Sequence, residues 1–213
     1  VPEVRDLVFR VCEDVCGRYD VDGIELDFFR APMFFKPTWE LKPVDPRHVT
    51  MMTDLVRRIR EMTERAGRQR GRPILVACRV PMSVRQSLDI GLDVMAWLEE
   101  DLFDLLVLGG GYAPMAMADQ VRKMVDLGHR FEVPVYPCIS QSAMRDEFGS
   151  IEAWRGAAMN IWHTGADGVY TFNRFPREPD DLFRQLGGVA TLKGRDKIYG
   201  VDTIPASLRS LGI

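Results

Sequence analysis

Along nearly the whole of this chain, apolar residues at helical spacing alternate with short runs rich in β-branched residues, and no other feature restricts the fold as much. Val4, Leu7, Val8, Val11 and Val15 mark a helix that Gly17 is expected to break. The run from Val21 to Phe29 reads as a strand, and an irregular segment from Ala31 to Val44, rich in Pro and aromatics, reads as a long loop. Asp45 followed by Pro46 is a helix start, an N-cap with Pro in the first turn, and the periodic positions continue through Val49, Met52, Leu55, Val56, Ile59 and Met62. Further strands are expected over Ile74–Val80, Leu105–Leu108, Val133–Ile139 and Gly168–Phe172. Between and after them, helices are expected around Val94–Leu98 behind an Asp93 cap, over Pro114–Arg130, from Ser150 to a stop at Gly165, and over Asp180–Leu186.

Strands separated by helices must pair in parallel, through right-handed crossovers. Two architectures satisfy that rule, an open doubly wound sheet and a (β/α) barrel. The doubly wound fold places a Gly-rich phosphate turn directly after its first strand. Here that place is taken by Arg30-Ala-Pro-Met-Phe-Phe35. Polar residues also stand on one face at strand interiors and ends, as a barrel lumen requires. The fold class read from the sequence is therefore α/β, a parallel (β/α) barrel of TIM type that is partial, with five β/α units over residues 1–186 and, over 187–213, a C-terminal tail without clear periodicity or the start of a following segment. Five strands do not close the usual barrel, so about three more are expected N-terminal to Val1 unless the sheet stays open.

Composition narrows the function classes. Hydrophobic residues make up 46% and charged residues 28%, a globular balance. The net charge of −3 lacks the basic excess of a nucleic-acid binder. The run Arg65–Arg72 is the densest basic segment, and between a helix and a strand it reads as a solvated turn. No apolar stretch is long enough to span a bilayer, so no membrane partner is expected. The chain opens on Val1 rather than Met, so the lack of a visible leader carries no information on compartment, and nothing in the sequence sets an oligomeric state. Cys12, Cys16, Cys78 and Cys138 lack the spacing and nearby histidines of a zinc site and read as buried thiols. No cofactor is called for. Gly109-Gly-Gly-Tyr112 could hold a phosphate on its backbone amides, although close packing at a barrel rim explains the glycines equally well.

The chemistry centres on the first strand. Side chains alternate faces, so Ile24, Leu26 and Phe28 share one face and Glu25 and Asp27 the other, with Gly23 beneath them. Carboxylates pointing into a barrel must be solvated, paired or shifted in pKa. Barrel enzymes build their sites at the C-terminal ends of the strands. Glu25 and Asp27 are thus the candidate catalytic residues, against the alternative of an inward ion-pair network with Arg79. Arg79, Tyr112, Tyr136, Ser140 and Asn173 stand at or near other strand ends and offer directional donors and acceptors suited to sugar hydroxyls. Trp39, with Phe34 and Phe35, offers an apolar platform in the first loop, or simply packs that loop.

Asp22-Gly-Ile-Glu-Leu-Asp-Phe-Phe29 resembles the fourth barrel strand of several glycoside hydrolases. In the α-amylase group a similar run ends in the nucleophilic aspartate, and Asp27 matches that position. Chitinases have a comparable run with a catalytic Glu two residues further on. Phe29 stands there in this chain, so that mechanism does not carry over. With Gly91-Leu-Asp-Val-Met-Ala-Trp97 leading through Leu102-Phe-Asp104 into the next strand, residues 1 to about 185 look most like the bacterial glycosyl-hydrolase-like (β/α) barrel proteins. The resemblance implies a glycoside hydrolase-like protein acting on a carbohydrate.

Glycosidases need two carboxyl groups, about 5–5.5 Å apart for retention or about 6.5–9.5 Å for inversion. Glu25 and Asp27, two apart on one strand, point the same way and are poorly placed to straddle a bond. The α-amylase pattern puts the acid at the end of the following strand, where this chain has Arg79-Val-Pro81; the strands expected N-terminal to Val1 and loops such as Asp146-Glu147 are other sources. Two alternatives use the same residues. One is a carbohydrate-binding barrel without catalysis. The other is metal-assisted chemistry with a divalent cation on Glu25 and Asp27, which needs a third ligand from another strand.

Overall fold

The computed structural model describes residues 1–109, 118–144, 149–175 and 181–199. The order of elements is α1 (Pro2–Arg18), β1 (Gly23–Asp27), α2 (Lys36–Trp39), α3 (Pro46–Arg70), β2 (Leu75–Val80), α4 (Val84–Asp89), α5 (Val94–Glu99), β3 (Leu105–Leu108), α6 (Ala118–Arg130), β4 (Val135–Ser140), α7 (Ile151–Trp162), β5 (Tyr170–Phe172), α8 (Leu182–Leu186) and α9 (Val189–Leu192). The strands form one sheet in the order β1-β2-β3-β4-β5, with β1 parallel to β2 and β4 parallel to β5. This sequential order with a helix in each crossover is the partial (β/α) barrel of TIM type that the alternation predicts.

The residues divide into two compact units: one of Val1–Arg79 with Val84–Leu106, the other of Val80–Ser83 with the chain from Val107 onward. In the first, α3 is the organising helix. Asp45 caps it, accepting from the Arg47 amide at 2.9 Å, while His48 Nδ1 accepts from the Asp45 amide at 3.2 Å. Gly71 ends it in the left-handed region (φ 77°), where glycine carries no steric cost. Its buried face, with Val56, Ile59 and Met62, joins a core containing Val76, Trp97 and Phe103. The Trp97 indole N–H is satisfied by Thr53 Oγ1 at 2.9 Å.

In the second unit α6 and α7 pack on β4, and α8 and α9 pack on α7. Ser150 caps α7 by accepting from the Ala153 amide at 3.2 Å. Beyond α9 the chain returns to α7, where the Ile198 amide donates to Glu152 O at 3.0 Å.

Several local expectations change. Gly17 does not break α1, which continues to Arg18. The loop after β1 contains the single turn α2, and α4 precedes α5 where no separate helix was read. The segment from 187 contains the short helix α9, and residues 200–213 lie outside the described residues. Helices of four to six residues are too short to show a periodicity. The expected helix start at Pro114, the glycines after Gly109, Tyr112, the Asp146-Glu147 loop and the start at Asp180 lie outside the described residues.

Candidate functional site

β1 carries its side chains as the alternation requires. Leu26 and Phe28 are buried, and the Phe28 ring lies against Trp97 (centroids 5.3 Å) and Phe34 (5.8 Å). Glu25 and Asp27 lie on the other face and are more exposed. The parallel register sets Gly23 beside Leu75, Glu25 beside Ala77 and Asp27 beside Arg79. A small residue thus flanks Glu25, and a long cation flanks Asp27 at the C-terminal end of the pair.

Arg79 Nε donates to Asp27 Oδ1 at 2.8 Å. The Phe29 amide donates to the same oxygen at 3.0 Å. Among the described residues no hydrogen bond falls on Asp27 Oδ2. The Arg79 side chain is 0% exposed and that of Asp27 is 29% exposed, so the pair joins a wholly interior cation to a carboxylate open on one side. The Phe28 amide donates to Arg79 O at 3.0 Å and carries the β1–β2 pairing one residue past the strand end. Phe29, at the place of the chitinase-like glutamate, is buried (3% exposed) and supplies a main-chain donor instead of an acid.

Nearby, Cys78 faces the helices. Its thiol is pushed well up from the ordinary range, first by complete burial and then by the charges of Glu25 and Asp104, so it stays protonated and unreactive. All four cysteines are free thiols. Among the described residues no group of three or more His, Cys, Asp or Glu is arranged to hold a metal ion, and the third ligand a cation on Glu25 and Asp27 requires is not found there. No helix among them is long and apolar enough to cross a membrane.

Trp39 stands on α2, in the loop that leaves the C-terminal end of β1, and is 71% exposed. It does not pack the loop. Phe35 does so instead, stacking on His48 with ring centroids 4.6 Å apart.

The remaining candidates lie in the second unit. Ser140 ends β4 and is buried, its Oγ 2.7 Å from Ser142 Oγ. Asn173 follows β5 directly, exposed and in the left-handed region (φ 53°), which asparagine adopts more readily than other non-glycine residues. Tyr136 sits near the start of β4, about 13 Å along the strand from Ser140, close enough to Gly168 that a Cβ there would meet its ring at 2.6 Å. Sequence reading missed Gln141 and Arg174 in this unit. Arg174 Nη1 donates to Gln141 Oε1 at 3.1 Å, and its guanidinium lies 5.0 Å from the Trp154 ring centroid. Gln141 follows Ser140 and Arg174 follows Asn173, so adjacency to two strand ends was the available signal.

No protein-family model and no curated protein matches the sequence. Among solved structures the chain is similar to a glycoside hydrolase family 18 N-acetylglucosaminidase from Paenibacillus barengoltzii, at 13% identity over 85% of this chain and 74% of that one, with a TM-score of 0.52. The likeness is one of fold, a partial (β/α) barrel of TIM type.

Proposed function

We propose that this protein acts on a carbohydrate at the C-terminal end of β1, with Asp27 as nucleophile or base and Glu25 beside it. The observation that carries the reading is Asp27 itself, a carboxylate at a barrel strand end whose Oδ1 is held by Arg79 and the Phe29 amide while its side chain stays open to solvent. An ion-paired carboxylate suits a nucleophile or base rather than a proton donor. The shared fold with a glycoside hydrolase supports the substrate class. Trp39, exposed in the loop that leaves the same strand end, would stack on the apolar face of a sugar ring.

A second reading, carbohydrate binding without hydrolysis, is favoured by one observation. Arg79 and Phe29 occupy both positions at which related patterns carry an acid.

A panel of p-nitrophenyl glycosides separates the two. Under the first reading wild-type protein releases nitrophenol and Asp27→Asn lowers kcat on the order of 100-fold or more. Under the second, glycosides bind without turnover and Trp39→Ala weakens that binding. Undiminished turnover by Asp27→Asn rejects the role of Asp27, and a panel neither bound nor hydrolysed rejects the carbohydrate class.

A further inference from the structure

We propose that Arg79 is a positioning residue for Asp27 and makes no contact with the ligand. The inference rests on the reading above only for what the carboxylate does; the positioning itself stands on geometry. A side chain with no exposed surface cannot meet a ligand without displacing what covers it. Its Nε is spent on Asp27 Oδ1 at 2.8 Å. The Phe29 amide, fixed in the main chain, reaches the same oxygen at 3.0 Å. A short side chain with two torsions, tied at Cβ and held at one oxygen by two donors, has one orientation left. That orientation commits Oδ1 to the protein and leaves Oδ2 as the oxygen offered to a ligand.

The register makes the arrangement specific. Asp27 and Arg79 are side-by-side partners in parallel strands, so the guanidinium meets the carboxylate within the sheet face rather than from a mobile loop. Lys has no planar fork and would keep the charge without the directed Nε–H. A misplacement of about 1 Å at a reacting group can cost on the order of 100-fold in rate.

The test reads orientation directly. In wild-type protein, three-bond couplings about Asp27 Cα–Cβ are expected to report a single rotamer, and the Arg79 Nε–H to exchange slowly with water. In Arg79→Lys the couplings should average while the neighbouring Leu26 keeps its own. If the p-nitrophenyl glycosides are turned over, kcat should fall on the order of 100-fold with KM within about threefold of wild type. An Asp27 that stays locked in Arg79→Lys overturns the proposal, as does a raised KM at unchanged kcat. If Arg79→Lys does not fold, the wild-type measurements decide: an averaged Asp27 or a fast-exchanging Nε–H overturns it. Wild-type protein that neither binds nor cleaves the panel counts against the carbohydrate reading alone, since couplings and exchange still report on positioning.

Discussion

At the scale of single residues, the pairing of Asp27 with Arg79 has a stability consequence separate from any chemistry. An interior guanidinium needs its counter-charge, and removing one member of a buried pair strands the other. Asp27→Asn keeps an oxygen for the Phe29 amide and Arg79 Nε but removes the charge. Because Asp27 is partly solvated, the cost should be about 1–3 kcal/mol, below the full cost for a buried pair. Urea melts of wild type and variant measure it, and equal midpoints would show that solvent already screens the pair. The pair also shows where sequence reading stops. The strand face of Asp27 follows from alternation in Gly-Ile-Glu-Leu-Asp, and the possibility of an inward partner in Arg79 was legible. Which charge is interior and which is open depends on packing around both strands, which no local pattern encodes. Gly23 is a second case. A Cβ there would meet Leu75 O at 2.7 Å, so the strands approach closely below Glu25. Gly23→Ala should cost about 1–3 kcal/mol by forcing β1 and β2 apart, measured by the same melts; a shift under about 0.5 kcal/mol would mean the strands yield freely.

At the scale of elements, one device recurs in both units. Asp104, just before β3, accepts from the Val76 amide at 2.7 Å through Oδ2, donates its own amide to Val76 O at 2.7 Å, and pairs with Arg60 of α3 at 2.7 Å. Asp167, just before β5, accepts from the Val135 amide at 2.8 Å, donates its amide to Val135 O at 3.1 Å, and meets His129 of α6 at 2.8 Å. In each, an acid entering one strand closes the start of the preceding strand and ties it to the helix before that strand. Burial pushes the Asp167 carboxyl up, but the Val135 amide and His129 outweigh it and hold the carboxyl below its ordinary value. A depressed carboxylate contributes stability that is present above the unfolded pKa, about 3.9, and lost as pH falls through the lower folded value. Asp167→Asn should therefore destabilise the protein at pH 7 and flatten its loss of stability below about pH 4; a variant with the wild-type acid limb would remove Asp167 from that loss. Asp104 was visible in the sequence, in the Leu102-Phe-Asp104 run, whereas Asp167 was not singled out. Neither partner was legible, because Arg60 and His129 lie 44 and 38 residues away. By contrast the Asp45, Asp93 and Ser150 caps were readable in advance, since their hydrogen bonds close within three residues.

At the scale of the molecule, the helix before β1 carries an exposed apolar row. Val4, Leu7, Val8 and Val11 run along one side of α1 with 41–58% of their surface exposed, while Cys16 is the buried residue of that helix. The side of α1 that meets α3 is held differently, by Asp6 pairing with Arg58 at 2.9 Å and by the Arg58 guanidinium 4.6 Å from the Phe9 ring centroid. Periodicity alone marked Val4, Leu7, Val8, Val11 and Val15 as a helix, and it identified the helix correctly, but helical spacing does not say whether anything covers the stripe. The energetic consequence is direct. A side chain left more than half exposed removes little surface from water on folding, so the double substitution Leu7→Gln, Val11→Gln should shift the unfolding free energy by no more than about 0.5 kcal/mol per site. Ile59→Ala, on the opposing helix and buried, should cost about 2–5 kcal/mol through lost burial and the cavity left behind. The double variant should also tolerate more ammonium sulfate before precipitating, since kosmotropic salts strengthen the association of exposed apolar surface. Urea melts at two protein concentrations and a precipitation curve test both statements. If the stripe variants lose as much stability as Ile59→Ala, the row of valines is covered in solution and counts as core.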